Sequence, residues 1–179
     1  MKKISEVLQS IEASKKEIEF LPTGFEKIDQ FLDGGFLRKE LVVLGGYAGV
    51  GKSFVASKIF FNISKNGFKS AYFSLEISCE TVVSRLLGML ANIKPTRIIS
   101  GLLTPEEFDN KIKAKAQLLT YEEFMYFYDD IYSYEILERE IKKEKFDFIV
   151  IDFIQNIFSL GKSDEYERLS YISLSLQKL

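Results

Sequence analysis

One stretch, Gly46-Tyr47-Ala48-Gly49-Val50-Gly51-Lys52-Ser53, constrains this chain more than any other. It fits G-x-x-x-x-G-K-[ST], the loop that wraps phosphate groups in proteins that use nucleoside triphosphates. The pattern carries meaning only between a strand and a helix. Here the apolar run Leu41-Val42-Val43-Leu44 precedes it and a helix-like stretch from Phe54 to Ile63 follows. Residues 40–45 are therefore expected as the first strand of a sheet. The glycines would let backbone N–H groups turn toward phosphate oxygens without obstruction by a Cβ. The helix that follows would add the positive end of its dipole. Lys52 would neutralise the β- and γ-phosphates, and Ser53 would ligate Mg2+.

The rest of the chain alternates between two periodicities. Residues 69–75 read as a second strand and 80–93 as a helix rich in Val, Leu and Met. Thr104-Pro105-Glu106-Glu107 opens another helix, with Thr as cap, Pro in the first turn and Glu three residues after the Thr. That helix runs to about Leu119. Met125-Tyr126-Phe127-Tyr128 is a third strand, Ser133 can cap a helix through Lys143, and Phe148-Ile149-Val150-Ile151 is a fourth strand. The last shows no polar alternation, as expected for a strand covered on both faces. Strands alternating with helices give an α/β domain with a mostly parallel sheet flanked by helices.

Both ends of the chain carry helical stripes. Ile4, Val7, Leu8, Ile11 and Ile18 make residues 1–19 an amphipathic helix, broken by Leu21-Pro22-Thr23-Gly24. Two readings of it stand: a stripe that covers its own domain, and a linker helix that docks on another chain. A short helical piece follows, with Phe25, Ile28, Phe31 and Leu32 on one face, and Asp33-Gly34-Gly35 is a turn. Leu169, Ile172, Leu176 and Leu179 form a stripe that runs to the last residue, with no closing Gly, Asn or Pro.

Composition removes several function classes. The chain has no histidine, which excludes imidazole acid–base chemistry and His metal sites. The single cysteine, Cys79, cannot form an intrachain disulfide. A net charge of −2 shows no overall basic surface for nucleic acid. No apolar run approaches the ~18 residues of a membrane span, and Met1-Lys2-Lys3 is not followed by the apolar core of a signal peptide. A soluble cytoplasmic protein is the expectation.

Two carboxylates complete the candidate site. Asp152 ends the apolar run 148–151 and would emerge at the carboxyl edge of a parallel sheet, where ligands sit. Alone, such an Asp is a strand-end residue; downstream of a phosphate loop it can hold the Mg2+ shell, often through water. Glu76 follows the second strand and could polarise the water that attacks the γ-phosphate; on spacing alone, a helix-start Glu is the better reading. Tyr126 and Tyr128 read as core rather than as a stacking platform for bases. Lys142, Lys143 and Lys145 read as a solvated helix end.

Taken in order, these motifs resemble the C-terminal RecA-like motor domain of DnaB-type replicative DNA helicases. The resemblance runs from about Leu21 to Leu179. It rests on Leu-Pro-Thr-Gly-Phe25 with Ile28-Asp29, the Gly46–Ser53 loop, Phe-Ser-Leu-Glu76 with Arg85 downstream, Ser100-Gly101, and Val-Ile-Asp152-Phe-Ile-Gln155. It implies a RecA-like P-loop ATPase that uses ATP and Mg2+ to move on single-stranded DNA. It also implies a homo-oligomeric ring, usually a hexamer, with no membrane partner. Residues 21–179 would be the ATPase domain and 1–20 a linker helix packing on the neighbouring subunit. By the resemblance, Lys52 and Glu76 are catalytic, and Gly46, Tyr47, Ala48, Gly49, Val50, Gly51, Lys52 and Ser53 bind ATP. Ser53 and Asp152 serve the metal.

The chain also departs from the family pattern. By the resemblance, the N-terminal domain that typically contacts primase is expected to lie outside this chain, as is the second half of the motor, with its sensor strand, DNA-contacting loops and arginine finger. The sensor strand would lie between the loop strand and the Asp152 strand, leaving those two unpaired. The chain is expected to be a portion of a longer protein, with weak or no ATPase activity alone. The alternatives are a KaiC-like or recombination-type RecA-like ATPase, and a non-hydrolysing nucleotide-binding assembly module.

Overall fold

An apolar segment becomes a strand only where another strand can take its N–H and C=O groups. The computed structural model, which describes residues 3–13, 19–161 and 164–179, shows both outcomes in one chain. In chain order the elements are α1 (Ile4–Ala13), β1 (Phe20–Leu21), α2 (Glu26–Phe31), β2 (Phe36–Leu37), α3 (Lys52–Lys65) and β3 (Ser70–Ser74). They continue with α4 (Cys79–Ala91), α5 (Pro95–Ser100), α6 (Pro105–Leu119), β4 (Met125–Tyr128), α7 (Tyr134–Glu144), β5 (Phe148–Asp152) and α8 (Glu165–Leu176).

The main sheet is parallel, in the order β4-β3-β5. Ser70 pairs with Met125 on one side and Phe148 on the other, and Ser74 pairs with Asp152. The two-residue period of a strand then sorts side chains between two cores. Tyr72, Val150, Met125 and Phe127 pack with Phe60 and Ala56 of α3 and Val82 of α4. Ala71, Phe73, Tyr126, Tyr128, Ile149 and Ile151 pack with Leu137 and Ile141 of α7 and Ile172 of α8. Tyr126 and Tyr128 are core residues, with the Tyr128 ring stacked on Phe73 at 4.7 Å between centroids. Helices thus cover both faces of a parallel sheet, as the strand compositions require.

The expected first strand does not form. Residues 40–45 make no ladder, and Leu41, Val42, Val43 and Leu44 are exposed, Val43 by 82%. Both edges of β3 are occupied by β4 and β5, and among the described residues nothing pairs with the outer edge of β5. The segment therefore has the composition of a buried strand and no partner. This matches the expectation that the loop strand and the Asp152 strand would not pair with each other.

Helix boundaries follow local chemistry. Of the expected helix over 80–93, α4 ends at Ala91, because Asn92 adopts a left-handed conformation (φ 56°). Ile93 N–H returns to the Gly88 carbonyl at 2.8 Å, and Pro95 then starts the separate helix α5. Gly101, in the left-handed region (φ 71°), closes α5 after Ser100. The capping box of α6 is present, with Thr104 Oγ1 accepting from Glu107 N–H and a Glu107 carboxylate oxygen accepting from Thr104 N–H. Ser133 stands at the cap position of α7 but accepts no helix N–H; its hydroxyl donates to the Glu135 carboxylate at 2.6 Å instead.

The segment before the phosphate loop is pinned to α3. Asp29 accepts from Thr23 N–H, the Thr23 hydroxyl and Gly24 N–H at 2.8, 2.6 and 2.9 Å. Asn62 of α3 donates to the Thr23 carbonyl at 2.8 Å. Gly24 lies in the left-handed region (φ 74°), and a Cβ there would strike the Asn62 side chain. Leu21 packs beside Ile59 and Ile63 of the same helix. Within the N-terminal helix, Ile4, Val7 and Leu8 are exposed. Residues 14–18, with Ile18 of the expected stripe, lie outside the described residues, as does the side chain of Ile11.

Candidate functional site

The loop takes a phosphate-cradle shape even though the strand before it is missing. Gly49 and Gly51 adopt positive φ of 79° and 95°. A Cβ on either would meet nothing within 4 Å, so backbone conformation rather than crowding calls for glycine there. Gly51 sits at the N-cap of α3 with no side chain to cap the helix, which leaves the first-turn N–H groups available as donors. Tyr47 and Val50 project outward from the loop and are exposed, as is Ala48 between them.

Lys52, the first residue of α3, curls back over the loop. Its ammonium donates to the carbonyls of Gly46 at 2.8 Å and Tyr47 at 3.0 Å. An ammonium has three protons, so one donor remains for an anionic oxygen. The positive charge is thus held by the carbonyls of the loop itself.

Ser53 and Asp152, 99 positions apart in sequence, meet at the carboxyl edge of the sheet. Ser53 Oγ donates to Asp152 Oδ1 at 3.2 Å. Asp152 is 8% exposed, and its second oxygen, Oδ2, accepts from the Tyr72 hydroxyl at 2.7 Å. Ser57, one turn along α3, donates to the Ser53 carbonyl at 2.7 Å and stands 3.5 Å from the Tyr72 hydroxyl. Burial pushes the Tyr72 phenol well above its ordinary value, with Asp152 adding to the effect. The group is therefore a donor to Asp152 and never a competing anion.

Glu76 lies just past β3 and is exposed. Its position follows from two hydrogen bonds that join the ends of β3 and β5. Leu75 N–H donates to the Asp152 carbonyl, and Asn156 Nδ2 donates to the Leu75 carbonyl, both at 2.8 Å. Glu76 and Asp152 thus leave the sheet at the same edge. Burial, helped by Asp129, pushes the Cys79 thiol up to about 12.

The pair Ser53 and Asp152 offers a hydroxyl and a carboxylate, the hard oxygen donors that Mg2+ prefers. Among the described residues there is no group of three or more acidic, Cys or His side chains that could cage a metal. Two protein oxygens with phosphate and water completing the shell is the usual Mg2+ arrangement in nucleotide sites, and these residues fit it.

Three members of this site were not visible as such in the sequence: Tyr72, Ser57 and Asn156. A weak signal existed for the first two. A tyrosine inside a fully buried strand needs a partner for its hydroxyl, and Ser57 follows Ser53 at helical spacing. Asn156 gave none, because its role depends on where two strand ends meet.

Comparison with known proteins then decides the family. The family model described as "DnaB-like helicase C terminal domain" matches residues 21–179. The chain belongs to this family. The DnaB-like domain is 33% identical over 172 residues to the replicative DNA helicase DnaB of Geobacillus stearothermophilus, covering 91% of this chain and 37% of that protein. It is 31% identical over 196 residues to the replicative DNA helicase DnaB of Rickettsia conorii, covering 98% of this chain and 38% of the relative. The chain therefore spans less than two-fifths of the length of these relatives. Among solved structures, one described as an ATPase domain matches with a TM-score of 0.82 at 21% identity, over 98% of this chain and 64% of that one. A DnaB-like replicative helicase studied with primase matches with a TM-score of 0.83 at 20% identity, over 99% and 45%. The α/β fold is thus that of DnaB-type ATPase domains, and the KaiC-like and recombination-type alternatives give way.

Among the described residues, no helix of this DnaB-like domain is long and apolar enough to cross a membrane.

Proposed function

We propose that this domain is the Mg-ATP-binding and ATP-hydrolysing part of a DnaB-type replicative DNA helicase. The observation that carries the reading is the meeting of Ser53 and Asp152 at 3.2 Å beside the Lys52-centred loop. A nucleotide on the loop would place its β- and γ-phosphates against the N-terminus of α3 and the free proton of Lys52. Ser53 and Asp152 would hold Mg2+, which would supply charge neutralisation for the phosphates. Glu76, at the same sheet edge and open to solvent, would orient the attacking water. Gly46, Tyr47, Ala48, Gly49, Val50 and Gly51 would supply the backbone cradle.

In the complete protein, hydrolysis would drive movement along single-stranded DNA within a homo-oligomeric, hexameric ring in the cytoplasm. Residues 1–20 would link to, and pack on, a neighbouring subunit; the exposed Ile4, Val7 and Leu8 of α1 support that role.

The test is titration of a fluorescent ATP analogue with Mg2+. Lys52→Ala removes the central cation, whose charge-assisted hydrogen bonds are worth about 1.5–3 kcal/mol each, so binding should weaken by at least about tenfold. Unchanged binding would sink the site assignment. Stimulation of ATPase activity by single-stranded DNA in the complete protein tests the helicase assignment separately; no stimulation counts against it.

A further inference from the structure

Asp152 has two carboxylate oxygens, and the structure gives them different neighbours. Oδ1 faces the Ser53 hydroxyl, on the side where the phosphate loop lies. Oδ2 is taken by the Tyr72 hydroxyl at 2.7 Å. Tyr72 is wholly buried on β3, the central strand, and its ring cannot swing away. Phe60 meets it edge-on at 5.5 Å between centroids, and Phe127 stacks at 6.4 Å. The donor is therefore rigid while the acceptor, at the end of β5, borders the loop.

We infer that Tyr72 is a positioning residue for Mg-nucleotide binding: by occupying Oδ2, it fixes the plane of the Asp152 carboxylate and presents Oδ1 toward the metal beside Ser53. This rests on the Mg-ATP reading above. The physical reason is rotational. A carboxylate at a strand end can turn about its terminal bond through a broad range. One short hydrogen bond from an immobile phenol removes that freedom and leaves one oxygen aimed at the ion. Groups that stand behind a metal ligand in this way commonly change metal affinity by about 10–100-fold when removed. Ser57 extends the arrangement, since it joins the Ser53 backbone to the neighbourhood of the same phenol. The two oxygen donors are thus tied to one buried tyrosine.

Tyr72→Phe deletes the hydroxyl and keeps the ring between Phe60 and Phe127. In the full chain, binding of a fluorescent ATP analogue is measured in EDTA and then across a MnCl2 titration. The metal concentration for half-maximal enhancement should rise about tenfold, while affinity in EDTA, which the loop and Lys52 supply, stays at the wild-type value. Tyr72→Leu, which also lacks the donor but differs in shape, should give the same split, and thermal melting shows which variant is folded. Equal metal dependence in wild type and a folded variant overturns the role. So does a parallel fall in both affinities, which marks a packing effect. If wild type itself shows no metal enhancement, the Mg-ATP reading fails and takes this inference with it.

Discussion

Strand β3 and the segment 40–45 are alike in composition and opposite in fate. Ala71-Tyr72-Phe73 lies between two parallel neighbours with every residue of the strand buried. Leu41-Val42-Val43-Leu44 is at least as apolar, makes no ladder and is exposed. The difference is not propensity, since Val and Leu suit strands as well as Ala does. It is the supply of partners: each edge of β3 meets a strand, and among the described residues 40–45 meets none. The comparison also separates stability from chemistry. The paired strands carry the two cores, whereas the unpaired segment leads into the loop that holds Lys52. That loop keeps its form because α3 is anchored from another side, through Leu21, Thr23 and Asn62.

Hydrogen exchange gives the widest expected contrast. Amides of β3 should open only with global unfolding, whereas those of 40–45 should exchange almost as fast as in a free peptide. A domain stability of about 5–15 kcal/mol makes that a difference of at least about three orders of magnitude. Comparable protection in the two segments would break the comparison and show that 40–45 has found a partner.

Urea denaturation of two alanine variants sharpens it. Phe73→Ala removes a wholly buried ring stacked on Tyr128 and should cost about 3–5 kcal/mol. Val43→Ala, at an exposed site, should stay within about 0.5 kcal/mol. A Val43 variant as damaging as Phe73→Ala would contradict the exposed placement.

The smallest effect concerns a segment held by polar bonds instead of a ladder. The Glu135 carboxylate accepts from the Ser133 hydroxyl at 2.6 Å, the Ser159 hydroxyl at 2.8 Å and Leu160 N–H at 3.1 Å. These donors, Ser133 foremost, hold its carboxyl down at about 2. A lowered folded value stabilises above the unfolded value of about 4.3 and is lost as pH falls from there through about 2. Glu135→Gln should therefore flatten the pH dependence of the melting temperature in that window. An unchanged slope would show that the carboxylate does not pin residues 159–160 to α7.

Much of the fold was legible because its signals are local. The capping box of α6 needs only Thr104 and Glu107, and the strands at 125–128 and 148–152 declare themselves as short apolar or aromatic runs. The break between α4 and α5 was not legible, since Asn92 in a left-handed conformation looks like any polar helix residue. In the candidate site, Lys52 and Ser53 were proposed from the loop pattern and Glu76 and Asp152 from their places at strand ends, while Tyr72 was taken as one more strand residue.

Sequence by itself determined the phosphate loop, its positive-φ glycines, the helix it opens and the two carboxylates at strand ends. All of these follow from backbone sterics and from periodicities shorter than one element. Tertiary structure alone decided which apolar runs became strands, because pairing depends on a partner far along the chain. It alone decided that Ser53 meets Asp152 across 99 residues, and that a buried tyrosine takes one Asp152 oxygen while Ser53 takes the other.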